Sequence, residues 1–154
     1  MRILVDTREQ RPFKFTRYDV QVERGTVPTG DYSLPGCEAL VAVERKSLDD
    51  LVGCLMGAGR DRFEKELSRA GGLESFAVVI EASMDDVRHH GYRSRMEPHA
   101  VLQSVTAFAV RYGTSFIWAG SREGAEYSTY WFLQKFAAEQ CERLRRVTKA
   151  LEPV

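Results

Sequence analysis

An α/β domain with a mixed central sheet flanked by helices is what this sequence predicts, and three observations predict it. Short apolar runs of strand length recur at Ile3-Leu4-Val5, Leu40-Val41-Ala42-Val43 and Phe76-Ala77-Val78-Val79-Ile80. Between and after them lie segments whose apolar residues fall at helical spacing, such as Phe63 with Leu67, and Leu102, Val105, Ala109 and Tyr112. The first third reads as strands joined by turns, and the remainder as strands alternating with helices.

Residues 2–6 read as a short buried strand ending on Asp6. Val20 to Val27 alternates roughly apolar with polar, as an amphipathic strand does. Pro28-Thr29-Gly30 is turn chemistry, Asp31 to Leu34 resumes extended structure, and Pro35-Gly36 turns again. Residues 40–46 form a strand that enters the core apolar and emerges as Glu44-Arg45-Lys46. Ser47 then suits a helix N-cap, with Asp50 three positions on, and Gly57 and Gly59 are expected to interrupt that helix. Further elements follow: a helix over 60–70 stopped by Gly71-Gly72, a strand over 76–81, a short helix over 84–89, and a loop from Gly91 to Arg95. The chain closes with a helix over 99–112, a strand over 114–118 and a helix over 122–147. One domain spanning 1–154 is expected, with no repeat or linker.

Composition sets limits. The 154 residues are 44% hydrophobic and 29% charged, ordinary values for a globular protein able to bury its own core. No run approaches the about 18 apolar residues of a membrane span, and the N-terminus lacks signal-peptide form, so the expected location is cytoplasmic, with a nucleoid or nuclear site compatible. Cys37, Cys54 and Cys141 are scattered and odd in number, which suits reduced, partly buried thiols rather than a disulfide framework. His89, His90 and His99 lack partners at zinc spacing. The formal net charge of zero decides nothing, because acidic and basic patches can offset each other in the sum.

The chemistry concentrates at the strand end. Phosphodiester hydrolysis uses a divalent cation that polarises the phosphate and acidifies water. Magnesium and manganese take hard oxygen ligands, commonly one or two carboxylates. A nearby ammonium can orient the water or stabilise developing charge. Glu44 and Lys46 are two apart on a strand, so both side chains share one face while Arg45 points to the other. A hairpin through Pro35-Gly36 can bring Asp31 beside Glu44, and Asp6 and Arg8 share a face at the first strand's end. Each residue also has a plainer reading: Glu/Lys surface pairing, Asp31 as a turn residue, Asp50 as a helix-start residue, Arg8 as Asp6's partner. The combination of a buried strand ending acid-base-base and a capped helix favours the chemical reading.

Val5-Asp6-Thr7-Arg8-Glu9, Gly30-Asp31-Tyr32 and Val43-Glu44-Arg45-Lys46-Ser47-Leu48-Asp49-Asp50 together resemble the signature of the XPF-type nuclease family: Gly-Asp, a variable gap, Glu-Arg-Lys, three residues, Asp. Arg60-Asp61-Arg62-Phe63-Glu64 resembles the stretch that follows, and the likeness covers roughly residues 1–120. The resemblance implies a restriction-endonuclease-like fold, with Asp31, Glu44 and the Arg45 carbonyl as ligands of Mg²⁺ or Mn²⁺ and Lys46 acting on the attacking water. It also assigns Asp6, Arg8, Glu9, Arg45 and Asp50 to the active-site set. Its implied substrate is branched or flapped DNA, in repair or recombination. Longer members carry a tandem helix-hairpin-helix module for which these 154 residues leave no room, so a stand-alone form is expected, needing a partner or binding DNA weakly.

Three basic clusters are candidates for DNA contact: Arg60, Arg62, Lys65 and Arg69; Arg88, Arg93 and Arg95 beside His89, His90 and Tyr92; and Arg143, Arg145, Arg146 and Lys149. The first lies just downstream of the motif, whereas the third reads as a solvated helix face. Tyr127, Tyr130, Trp131, Phe132 and Phe136 give the last helix more aromatic surface than one sheet face hides: Phe132 and Phe136, four apart, read as core and the rest as a patch for a partner, and since the family resemblance implies pairing of nuclease domains, a homodimer is expected. Two other functions are compatible with the sequence: a catalytically silent DNA-binding or scaffold subunit, expected to have lost motif acids, and a sequence-specific restriction-type enzyme.

Overall fold

The computed structural model describes residues 1–152. Among the described residues, six strands form one sheet: β1 (Arg2–Asp6), β2 (Gln21–Gly25), β3 (Tyr32–Ser33), β4 (Val41–Lys46), β5 (Ser75–Ile80) and β6 (Ser115–Trp118), in the order β2-β1-β3-β4-β5-β6. β3 runs antiparallel to both β1 and β4, whereas the β1–β2, β4–β5 and β5–β6 pairs are parallel, so the sheet is mixed as expected. The second strand is shorter than the 20–27 read from its alternation. It lies parallel to β1 at the sheet edge rather than in a hairpin with it. The crossover between them contains no helix. It is anchored instead by Phe13 and Phe15, both buried, whose rings pack around Tyr32.

Among the described residues, five helices cover the two faces: α1 (Leu48–Gly53), α2 (Gly57–Ala70), α3 (Met84–Arg88), α4 (Pro98–Tyr112) and α5 (Arg122–Ala150). Strand alternation sorts the core. Val78 and Ile80 pack with Leu51, Phe63, Leu67, Val105 and Phe108 on the face of α1 to α4. Their neighbours Ala77 and Val79 pack with Val43, Tyr32, Leu133 and Phe136 on the face of α5. Gly57 and Gly59 open α2 rather than interrupt the previous helix, correcting the predicted start at residue 60. Gly59 is there for proximity: a Cβ on it would stand 2.2 Å from the Gly53 carbonyl oxygen, so α1 and α2 meet at backbone contact. α5 runs to Ala150, past the predicted end, and its residues 141–150 are all exposed. Cys141 is among them, so its thiol is not partly buried as the sequence suggested, and all three cysteines are free. Among the described residues, no helix is long and apolar enough to cross a membrane.

Candidate active site

Register brings three acids into one row. Val5 pairs with Tyr32 and Tyr32 with Val43, so the next positions, Asp6, Asp31 and Glu44, stand side by side on adjacent strands. The Asp6 amide donates to the Asp31 carbonyl (2.8 Å) and the Asp31 amide to the Val43 carbonyl (2.8 Å). Paired residues share a face, so the three carboxyl groups project to the side of α1 and α2, where Leu4 and Ala42 lie one step behind. Gly30 makes the row possible. Its φ of +94° suits glycine, and a Cβ there would sit 3.1 Å from the Val43 carbonyl oxygen. Any larger residue would push Asp31 off the end of β4.

The three acids sit in different environments. The Asp6 carboxylate is saturated: it accepts from the Arg8 Nε (2.7 Å), the Arg8 amide (2.9 Å) and the Val27 amide (2.7 Å). Burial raises its pKa, but these bonds outweigh that and hold it below the usual carboxylate range. Asp31 accepts the Arg45 amide (2.8 Å), yet burial and the facing Glu44 push its carboxyl up to about 8. Glu44 is pushed up too, by burial first, against the pull of Lys46, whose Nζ lies 2.9 Å from Glu44 Oε1. Lys46 also stands over the Phe63 ring at 5.1 Å. Burial lowers its pKa, but the Glu44 carboxylate more than offsets this, so Lys46 keeps its proton more firmly than a free lysine.

Arg45 departs from the expected set. Its side chain lies on the opposite face of the sheet, where its Nε and Nη2 clasp Glu9 (both 3.1 Å) and its Nη1 meets Glu81 (3.1 Å). Arg122 adds a second cation on Glu81 at 2.8 Å and donates to the Arg11 carbonyl at 2.7 Å. Glu9 and the Arg45 guanidinium therefore brace the site strands from behind rather than enter the cleft. The Arg45 backbone does face it. Its amide, beyond the last β3–β4 rung, binds Asp31, and strand geometry puts its carbonyl on that same edge.

The acidic row opens into a cleft of about 290 Å³ lined by Asp6, Arg8, Gly30, Asp31, Glu44, Glu66 and Arg69. A neighbouring groove of about 560 Å³ is lined by Lys46, Asp50, Arg62, Phe63, Glu66 and Arg69. Asp50 is exposed there, while its amide donates to the Ser47 cap. The first basic cluster splits. Arg62 and Arg69 face the groove, and Lys65 is exposed on the same helix. Arg60 instead turns to the opposite side, pairing with Glu64 (3.3 Å) and lying over Phe108 at 4.7 Å. Tyr92 is buried and donates to the Met96 carbonyl, so it is not free to stack on a base as the second cluster suggested. The third cluster is solvated: Arg145 and Arg146 pair with Glu142, and Arg143 with Glu74. Glu66, Glu81 and Arg122 were missed in the sequence. For Glu66 a signal existed: it is the lone acid on the stripe Gly59, Arg62, Glu66, Arg69.

Comparison with known proteins follows the motif. The model of the ERCC4 domain family matches residues 5–130. The structure of XPF from Aeropyrum pernix superposes with a TM-score of 0.68 at 22% identity, over 87% of this chain and 60% of that one. The structure titled as XPF from Aeropyrum pernix in complex with DNA gives 0.69 at 23% identity, over 90% and 66%. This chain thus spans less than two thirds of either. No curated protein matched it. These matches bear out the XPF-type resemblance and the restriction-endonuclease-like α/β fold.

Proposed function

We propose, on the premise that this chain belongs to the ERCC4 domain family, that it is an Mg²⁺- or Mn²⁺-dependent endonuclease cutting branched DNA, such as flaps and forks, in repair or recombination. The observation that carries the reading is the in-register pair Asp31 and Glu44 with the Lys46 ammonium 2.9 Å from Glu44.

The residues fit a hard divalent cation. Asp31, Glu44 and the Arg45 carbonyl are oxygen donors on one edge, and Asp31 is pushed up to about 8, first by burial and then by the facing Glu44. Two carboxylates and a carbonyl, completed by water and phosphate oxygens, make a ligand set of the kind magnesium accepts. When bound, the cation polarises the phosphate and acidifies water. Lys46 stays protonated, so it orients the attacking water and offsets phosphorane charge rather than accepting the proton. Arg8, its side chain 72% exposed at the cleft rim, and Arg69 meet phosphate oxygens. Water attacks in line, the 3′-oxygen leaves, and the product carries a 5′-phosphate.

Partner recognition belongs to α5. Tyr127 is 58% exposed and Tyr130 and Trp131 are half-buried, while Phe136 is spent on the core. A homodimer through this face is our reading, and a monomeric mass by light scattering at tens of micromolar would count against it.

The deciding assay is cleavage of end-labelled flap, fork and linear duplex DNA with Mg²⁺, Mn²⁺ or EDTA. Flap and fork cutting that EDTA stops is expected. Binding without cutting in every metal would move the protein to the silent scaffold reading, and preference for one linear sequence to the restriction-type reading. Salt dependence tests the groove. Arg62→Ala and Arg69→Ala should each lower the slope of log K against log salt by about 1, whereas Arg60→Ala should leave it unchanged. Equal slopes for all three would place the DNA elsewhere.

A further inference from the structure

We infer that Arg122 is a positioning residue for strand cleavage, holding Asp31 against Glu44 and Lys46 from the face of the sheet opposite the cleft; the inference rests on the reading above. The backbone alone ties those strands together weakly. β3 has two residues, and among the described residues its ladder to β4 has one pair, Tyr32 with Val43. Glu44 and Lys46 lie beyond that pair and lean on β5 instead, beside Val78 and Ile80. Reacting groups must be held within about 0.5 Å of their working geometry. Side chains behind the sheet therefore have to fix what so short a ladder leaves free.

Arg122 reaches both strands. It opens α5 and is half-buried. Its Nη1 donates to Glu81 Oε1 (2.8 Å), the same oxygen that accepts Arg45 Nη1 (3.1 Å). Glu81 also donates its amide to the Lys46 carbonyl (2.9 Å), so it grips the end of β4 by backbone and side chain together. Arg45 sits between Glu44 and Lys46, so any shift of its backbone carries both. On the other side, Arg122 Nη2 donates to the carbonyls of Arg11 (2.7 Å) and Pro12 (3.2 Å), and the guanidinium lies 4.9 Å from the centre of the Phe13 ring. Phe13 donates its amide to the Tyr32 hydroxyl (2.9 Å) and stacks on that ring at 5.2 Å. Tyr32 follows Asp31 in the chain. One rigid planar cation thus spans from the Asp31 strand to the Glu44 strand, and the fixed fork of its donors fixes the distance between its partners.

The test uses the whole chain, well below its melting temperature. It combines single-turnover cleavage of an end-labelled fork in Mg²⁺, fork binding by anisotropy in EDTA, and amide exchange by NMR in EDTA. Arg122→Met should cut the rate at saturating fork about tenfold, with fork affinity within about twofold of the unmodified chain. Exchange of the Asp31 and Arg45 amides should quicken, while Val41 to Val43 hold theirs. Arg122→Lys keeps the charge on Glu81 and should melt close to the unmodified chain. It should still lose rate, because one ammonium cannot bond Glu81 and two carbonyls in a single plane. Full-rate cutting by either variant overturns the inference. So does weaker fork binding with an unaltered saturated rate, which would make Arg122 a DNA contact, and so does exchange that quickens at every amide alike, which would make its role general stability. An unmodified chain that cuts no fork in Mg²⁺ or Mn²⁺ overturns the underlying activity and this inference with it, whereas cutting that both variants match overturns only the role of Arg122.

Discussion

Asp31→Ala or Glu44→Gln is expected to abolish cleavage of branched DNA while leaving the fold in place. Each removes one of two facing carboxylates from the row. A cation's stabilisation of transition-state charge is several kcal/mol. At 1.36 kcal/mol per decade, losing about 4 kcal/mol slows cutting roughly 10³-fold. The measurement is single-turnover cleavage, with circular dichroism to certify the fold. Full cutting by both variants would falsify the assignment. The same pair makes a stability prediction. The folded-state pKa of Asp31, about 8, stands well above its ordinary 3.8, so its share of stability is complete below pH about 4 and is lost as pH rises through about 8. In EDTA the protein should melt lower at pH 8.5 than at pH 5, and Asp31→Asn should flatten part of that slope. A slope equal in both proteins would show that Asp31 is not strained.

Arg45→Met is expected to be the most destabilising single change at the site. The guanidinium is 9% exposed and its partners Glu9 and Glu81 are 5% and 12% exposed. Removing the cation strips the buried Glu9 carboxylate of its clasp and leaves Glu81 to Arg122 alone, a loss of about 3–5 kcal/mol. For a domain of this size that lowers the melting temperature by roughly 10 °C. Lysine should not rescue it, because one ammonium cannot clasp Glu9 with two parallel bonds. Glu9→Gln combined with Arg45→Met should cost less than the sum of the singles, since each relieves what the other leaves stranded. Additive losses would mean that the two do not act as a pair.

How much of this was legible in the sequence differs from residue to residue. Period-two alternation placed Glu44 and Lys46 on one face and Arg45 on the other. Pro28-Thr29-Gly30 marked only a turn; that Gly30 takes a φ of +94° beside β4 emerges from the fold. What the chain order hides is azimuth and long-range partnership. Arg60 and Arg69 read alike as bases on one helix, yet the ring of Phe108 draws Arg60 away from the groove. Glu81 and Arg122 carry no local mark of their bond to Arg45's side of the sheet, because it forms only after β5 and α5 dock. β2 shows the same limit: its alternation reveals a strand, not that its partner runs parallel.

The acidic row joins the end of one strand to the start of a second and the end of a third, bound across by amide bonds. A fragment lacking one of these strands cannot hold those oxygens together, so on the proposed metal reading ion capture waits for the three strands to pair and adds its binding free energy to the native state alone. A ribosome-bound stretch lacking β4 would have nothing to grip a cation with. On the same reading, hydrolysis too is withheld until all three strands have paired.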